Sequence, residues 1–219
     1  MFSGILLDID NTLYNYEGPH QAGMQKVYAT ARAFGYQNFE EIFNLTRKEI
    51  HDELKNTASS HNRLLYFQRI LEKYGDTRCS VAKTLTDTYW NEFLNKMVLF
   101  DGVIEFLARN NDKKICLITD LTADIQYAKI NKLGIFPYIQ YIVTSEEVGV
   151  EKPNSKMFKT ALKKMELQPN EVCMIGDSYE KDIIGAQKLG IKAFWKTEEK
   201  YCSNQVTAFN NFHELIGLI

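Results

Sequence analysis

The sequence predicts an α/β protein, a Rossmann-like parallel sheet flanked by helices and interrupted by an inserted all-helical domain. Three observations carry that expectation. From residue 100 onward, short apolar runs alternate with amphipathic stretches, the signature of β-α-β units. One more buried run stands near the N-terminus, at residues 4–9. Between them, residues 15–98 show helical stripes and no strand pattern.

Taken in order, residues 4–9 predict the first strand of the sheet. Breaks near residues 35–38, 57–60 and 75–76 divide the inserted segment into about four helices. Within it, Leu64, Phe67, Leu71 and Tyr74 form one helical stripe, and Leu85, Tyr89, Phe93 and Met97 another. Both read as that segment's own core. Beyond it, residues 115–118, 138–143, 172–175 and 191–195 predict strands, and 122–133, 155–165 and 178–189 predict helices. Thr122 and Ser155 fit N-caps, and Gly134 and Gly190 fit the left-handed residue after a helix end. The tail beyond Tyr201 predicts only a short helix from His213. The boundaries follow: a core of residues 1–14 and 99–219, and an inserted domain of residues 15–98.

Composition narrows the function classes. The 219 residues are 45% hydrophobic and 25% charged, ordinary for a globular protein and unlike a disordered chain or a coiled coil. Net charge is -2 with no basic run, so no nucleic-acid polymer is expected as partner. No apolar stretch reaches the roughly 20 residues that span a bilayer, and the start meets Asp8 without a basic n-region. The expectation is a cytoplasmic protein with no membrane partner. Cys79, Cys116, Cys173 and Cys202 lie far apart without a C-x-x-C pair, which predicts free thiols in a reducing compartment.

The placement of charge is more specific. The first strand ends in Asp8-Ile9-Asp10, the strand at 115–118 in Thr119-Asp120, and the strand at 172–175 in Gly176-Asp177. In a parallel sheet these ends lie along one edge, where open α/β folds bind ligands. Any one of these acids could be a helix cap. Four together repel one another in a partly desolvated crevice, so a cation is expected there. Carboxylate and carbonyl oxygens suit a hard ion such as Mg²⁺, with Asp8 and Asp177 as the natural pair. His20, His51, His61 and His213 have no metal-ligand spacing. Neither dinucleotide and P-loop glycine patterns nor a G-x-S-x-G elbow occurs.

Asp8-Ile9-Asp10-Asn11-Thr12-Leu13 resembles the first motif of the haloacid-dehalogenase-like (HAD) superfamily. Thr119 matches the second motif, Lys152-Pro153 the third, and Gly176-Asp177 with Asp182 the fourth, in family order over nearly the whole chain. The inserted helices fall where this family places its C1-type cap, which closes over the leaving group. The resemblance implies a Mg²⁺-dependent phosphatase acting on a small phosphorylated metabolite, a sugar phosphate or a nucleotide, as a monomer or homodimer. It implies that Asp8 attacks phosphorus and forms an aspartyl phosphate, and that Asp10 exchanges protons with the leaving group and water. Thr119 and Lys152 hold the phosphoryl oxygens. Asp8, the Asp10 carbonyl and Asp177 hold the metal, and Asp182 orients from behind. Asp10 points to phosphoryl transfer over dehalogenation, because a departing halide needs no proton. A phosphomutase using the same intermediate, or a non-catalytic phosphate-binding relative, are the alternatives. Asp120 departs from the Asn common in the second motif; it is expected to bond a substrate hydroxyl or amine, or a backbone amide, but not the phosphate. Arg63, near the start of the third inserted helix, and Ser178 are the other candidate substrate contacts.

Overall fold

The computed structural model describes residues 2–199, 203 and 206–219, and its centre is one parallel sheet. The strands are β1 (Gly4–Leu7), β2 (Lys114–Thr119), β3 (Tyr141–Thr144), β4 (Val172–Gly176), β5 (Lys192–Lys196) and β6 (Val206–Phe209). Their order across the sheet is β3-β2-β1-β4-β5-β6, with every neighbouring pair parallel. Leu7 pairs with Leu117 on one side and Ile175 on the other, so the chain leaves β1 level with the ends of its two neighbours. The order reverses direction at β1, the switch point where such sheets hold their ligands.

The chain divides into two units, Met1–Asn15 with Val98–Ile219, and Tyr16–Met97. The second contains α1 (Glu17–Ala33), α2 (Phe39–Leu54), α3 (Arg63–Lys73) and α4 (Cys79–Lys96). The first adds α5 (Val103–Arg109), α6 (Ala123–Leu133), α7 (Ser145–Val148), α8 (Ser155–Met165) and α9 (Gly185–Gln187).

The central strands are apolar throughout because both faces of the sheet are covered. Leu6, Cys116, Ile118, Val143 and Met174 form one cluster with Met157, Phe158, Ala161 and Met165 of α8. Ile5, Leu7, Ile115, Leu117 and Ile175, of the opposite parity, are also fully buried. Cys116 and Cys173 are buried free thiols, and burial pushes that of Cys116 up to about 12. Cys79 is free and exposed, whereas Cys202 lies outside the described residues.

The elements depart from the sequence expectation in four places. β3 begins at Tyr141, because Pro137 sits in a 3₁₀ turn, Phe136–Tyr138, and offers no N–H to a ladder. The cap of α8 is Asn154, whose side chain accepts from the Lys156 amide at 3.0 Å, and Ser155 is already helical. The expected helix at 178–189 is a wide π turn, Tyr179–Ile184, followed by the short α9. α5, α7 and β6 had no counterpart in the periodicity.

In the helical unit α1 packs closely on α4. A Cβ at Gly23 would stand 2.9 Å from the Tyr89 ring and 3.0 Å from its carbonyl oxygen, so the contact requires glycine. The buried face of α3 is Arg63, Tyr66, Phe67, Ile70 and Leu71. Leu64, expected in the core stripe, is 38% exposed, while Arg63 is 6% exposed. Asn62 caps α3 through the Leu64 and Leu65 amides and sets that phase. Among the described residues no helix is long and apolar enough to cross a membrane.

Candidate active site

Asp8 leaves β1 with its amide donating to the Ile175 carbonyl at 3.0 Å, which carries the chain past the sheet edge between β2 and β4. The Thr12 hydroxyl lies 2.9 Å from Asp8 Oδ2 and 3.3 Å from Asp177 Oδ1, joining the two strand ends. Asp8, Asp177 and Asp182 each place a carboxylate oxygen within 4.8 Å of the others. Lys152, 4% exposed, stands among them, with Nζ donating to Asp8 Oδ1 at 2.5 Å and Asp182 Oδ1 at 2.7 Å. Asp182 Oδ2 also accepts from the Ser178 amide at 3.0 Å.

Gly176 makes room for this arrangement. A Cβ there would fall 2.4 Å from Asp182 Oδ2 and 2.6 Å from its Cβ. Gly176→Ala is therefore expected to displace the Asp182 carboxylate, loosen Lys152 and lower kcat roughly 10- to 100-fold, on the scale of losing a supporting shell at a metal centre. Steady-state kinetics on the purified variant check this, and a kcat within twofold of wild type would contradict it.

The electrostatics follow from burial. Burial raises the Asp8 carboxyl to about 7 against the pull of Lys152, and Asp182 adds to the rise. Burial and the neighbouring Asp8 raise Asp177 to about 6. Asp182 is likewise raised by burial, against Lys152. Lys152 stays protonated: burial opposes its charge, but Asp182 and Asp8 more than compensate. Asp10 differs. Burial favours its neutral form, yet Lys129 and the Tyr14 hydroxyl hold it below the ordinary carboxylate range. Four carboxylates (Asp8, Asp10, Asp177, Asp182) against two buried ammonium groups leave a formal excess of two negative charges. An all-oxygen donor set with that excess fits one divalent cation of the Mg²⁺ type.

The remaining expected residues take definite places. The Thr119 hydroxyl accepts from Gln126 Nε2 at 2.7 Å. Asp120 Oδ1 accepts from the Lys152 backbone amide at 3.0 Å, and Oδ2 pairs with Lys181 Nζ at 3.0 Å. It thus meets a backbone amide and a cation. Leu121, next along, has φ 121°, a region strained for a leucine, and its amide donates to the Ser145 hydroxyl at 2.9 Å. The Ser178 hydroxyl accepts from the Lys181 amide at 3.3 Å. In the helical unit, the Arg63 guanidinium donates to the Tyr16 hydroxyl at 2.7 Å and the His61 carbonyl at 2.9 Å, and lies 5.0 Å from the Tyr89 ring centre.

Thr12, quoted above only within the first motif, joins this cluster with Tyr14, Gln126 and Lys129, to none of which sequence reasoning assigned a catalytic or metal-binding role. The signal for two of them was present: Gln126 and Lys129 stand three apart in a helix whose periodicity assigns them to one face. That face reads as solvated, yet both are fully buried.

Acidic strand ends beside a buried ammonium at the sheet's switch point form the kind of ligand crevice that Rossmann-like folds carry. The chain belongs to the haloacid dehalogenase-like hydrolases, whose family pattern matches residues 5–196, and it is a phosphatase within them. It is 38% identical over 199 residues to the ribulose-1,5-bisphosphate 5-phosphatase of Halopiger xanaduensis, covering 88% of this chain and 83% of that protein. It is 30% identical over 227 residues to the glyceraldehyde 3-phosphate phosphatase of Methanocaldococcus jannaschii, covering 100% and 97%. Among solved structures, the magnesium-bound HAD-hydrolase YfnB of Bacillus subtilis superposes with a TM-score of 0.76 at 18% identity, over 99% of this chain and 98% of that one, a likeness of fold.

Proposed function

We propose that this chain is a Mg²⁺-dependent phosphomonoester hydrolase for small phosphorylated metabolites, working through an aspartyl phosphate on Asp8. The observation that carries the reading is the convergence of Asp8 and Asp177 on the Thr12 hydroxyl, with Lys152 bonded to Asp8. The two relatives described above act, by name, on a sugar bisphosphate and a triose phosphate, which supports sugar phosphates as a substrate class beside nucleotides.

In this reading the Asp8 and Asp177 carboxylates and the Asp10 carbonyl hold the ion, and Asp182 keeps Lys152 in place. The bound ion supplies positive charge that keeps Asp8 ionised and offsets charge on the phosphoryl oxygens. Asp8 attacks phosphorus, the bond to the leaving oxygen breaks, and Asp10 delivers a proton to that oxygen. At rest Asp10 is a carboxylate, so it takes up that proton from solvent as the phosphate dianion arrives and repels its charge. Water then attacks the aspartyl phosphate, Asp10 accepts its proton, and Asp8 leaves as a carboxylate. Lys152 and the Thr119 hydroxyl stabilise the transferring group. The helical insert, residues 15–98, is a cap domain in this reading, with Arg63 in its own buried core, and Asp120 and Ser178 are the substrate contacts of the sheet unit.

Incubation with p-nitrophenyl phosphate and a panel of sugar phosphates is expected to release inorganic phosphate in Mg²⁺. EDTA should abolish the activity, and added Mg²⁺ should restore it. Full activity in EDTA, or isomerisation of a hexose phosphate without phosphate release, would overturn the assignment.

A further inference from the structure

Lys129 occupies a position that building α6 does not require. Its neighbours Ile130 and Leu133 supply the apolar packing, and a lysine ammonium at zero exposure costs much of its hydration. The charge is spent on one partner in particular: Nζ lies 2.7 Å from Asp10 Oδ1 and 2.8 Å from Oδ2. The buried Tyr14 hydroxyl donates to the same Oδ1. Asp10 is therefore gripped by α6 and by its own loop, while its side chain keeps 29% exposure, a face left open to reactants. One turn earlier on the same helix, Gln126 Nε2 donates to the Thr119 hydroxyl and to the Asp120 carbonyl, both at 2.7 Å. A single helix thus braces two groups that come from different strand ends.

We propose that Lys129 is a positioning residue for the acid–base group of the reaction. It holds the Asp10 carboxylate in the one orientation that presents an oxygen first to the leaving group and then to water. This rests on the aspartyl-phosphate reading above. Lys129 itself neither gives nor takes a proton. In the second half-reaction the water oxygen bonds to phosphorus, the bond from Asp8 to phosphorus breaks, and the water proton passes to Asp10.

The role predicts a kinetic signature that a merely structural lysine would not produce. p-Nitrophenolate departs without a proton, so phosphorylation of Asp8 by p-nitrophenyl phosphate needs little from Asp10, whereas hydrolysis still does. Lys129→Met is expected to give a burst of about one p-nitrophenolate per active site and then a steady state slowed roughly 100-fold, the scale of general acid–base assistance. With an alkyl phosphate it should show the same loss or more and no burst. Added to Asp10→Asn, Lys129→Met should change kcat less than twofold, because both act through one group. If Lys129→Met cannot be purified folded, Lys129→Gln, which retains a donor, is read in the same way with a smaller loss. A folded Lys129→Met with kcat within threefold of wild type, or an undiminished loss in the Asp10→Asn background, would overturn the proposal. Asp8→Asn separates the two readings: if it still turns over, the nucleophile assignment fails. If it is dead while Lys129→Met runs at the wild-type rate, only the positioning role fails.

Discussion

Asp8→Asn is expected to reduce kcat on phosphate monoesters by roughly ten-thousand-fold or more, the scale on which enzymes lose activity with their nucleophile. The same substitution should not weaken the fold. Burial raises the Asp8 carboxyl to about 7, above its value in an unfolded chain. An acid raised by folding contributes stability below its unfolded pKa and loses that contribution as pH rises through the folded one. In the absence of metal, ionised Asp8 is therefore a cost above about pH 7, and asparagine removes it. At pH 8 without Mg²⁺ the variant should melt a few degrees higher than wild type, on a scale of about 2–4 °C per kcal/mol, and the gap should close toward pH 5. Added Mg²⁺ should reverse the order, because only the wild type keeps the full ligand set. Thermal melts at pH 5 and 8, with and without Mg²⁺, together with initial rates, test each part. A variant that hydrolyses p-nitrophenyl phosphate within tenfold of wild type would contradict the mechanism.

The reach of sequence reasoning follows from what periodicity encodes. β1, β2 and β4 were legible because strands covered on both faces read as unbroken apolar runs, and their abrupt endings in acid marked the edge where the carboxylates gather. β6 was not, since Val-Thr-Ala-Phe is short and its outward residues are only partly covered. Arg63 and Leu64 exchange the places that hydropathy gives them, because hydroxyls and ring faces around the guanidinium make a buried cation tolerable. Lys129 and Gln126 were hidden for the same reason. The Lys129 ammonium meets Asp10 and the Gln126 amide nitrogen meets Thr119, partners that lie outside α6. Asp182 was found by its motif, but the π turn that carries it, and its need for Gly176, come from close approach of side chain to backbone.

Lys152→Met carries the second large effect, and it acts on stability as well as rate. The ammonium is the shared partner of Asp8 and Asp182, so its loss leaves two buried acids with like charge and no cation. Breaking a buried pair on one side costs about 3–5 kcal/mol, and losing a charge that stabilises the transferring group costs a further 100- to 1,000-fold in kcat. The two losses separate with pH. Burial raises both Asp8 and Asp182, so without Lys152 they take up protons readily as pH falls, and a neutral acid pair needs no counter-ion. The deficit in Tm should be largest near pH 8 and shrink steadily below about pH 7, whereas the loss of kcat should persist wherever the wild type is active. Lys152→Arg should recover part of the stability but little of the rate, because a planar fork does not reproduce a compact ammonium held between two carboxylates. Melting curves from pH 5 to 8, with rates on one sugar phosphate, measure both. A Tm deficit independent of pH would show that Lys152 contributes through packing and not through the two acids.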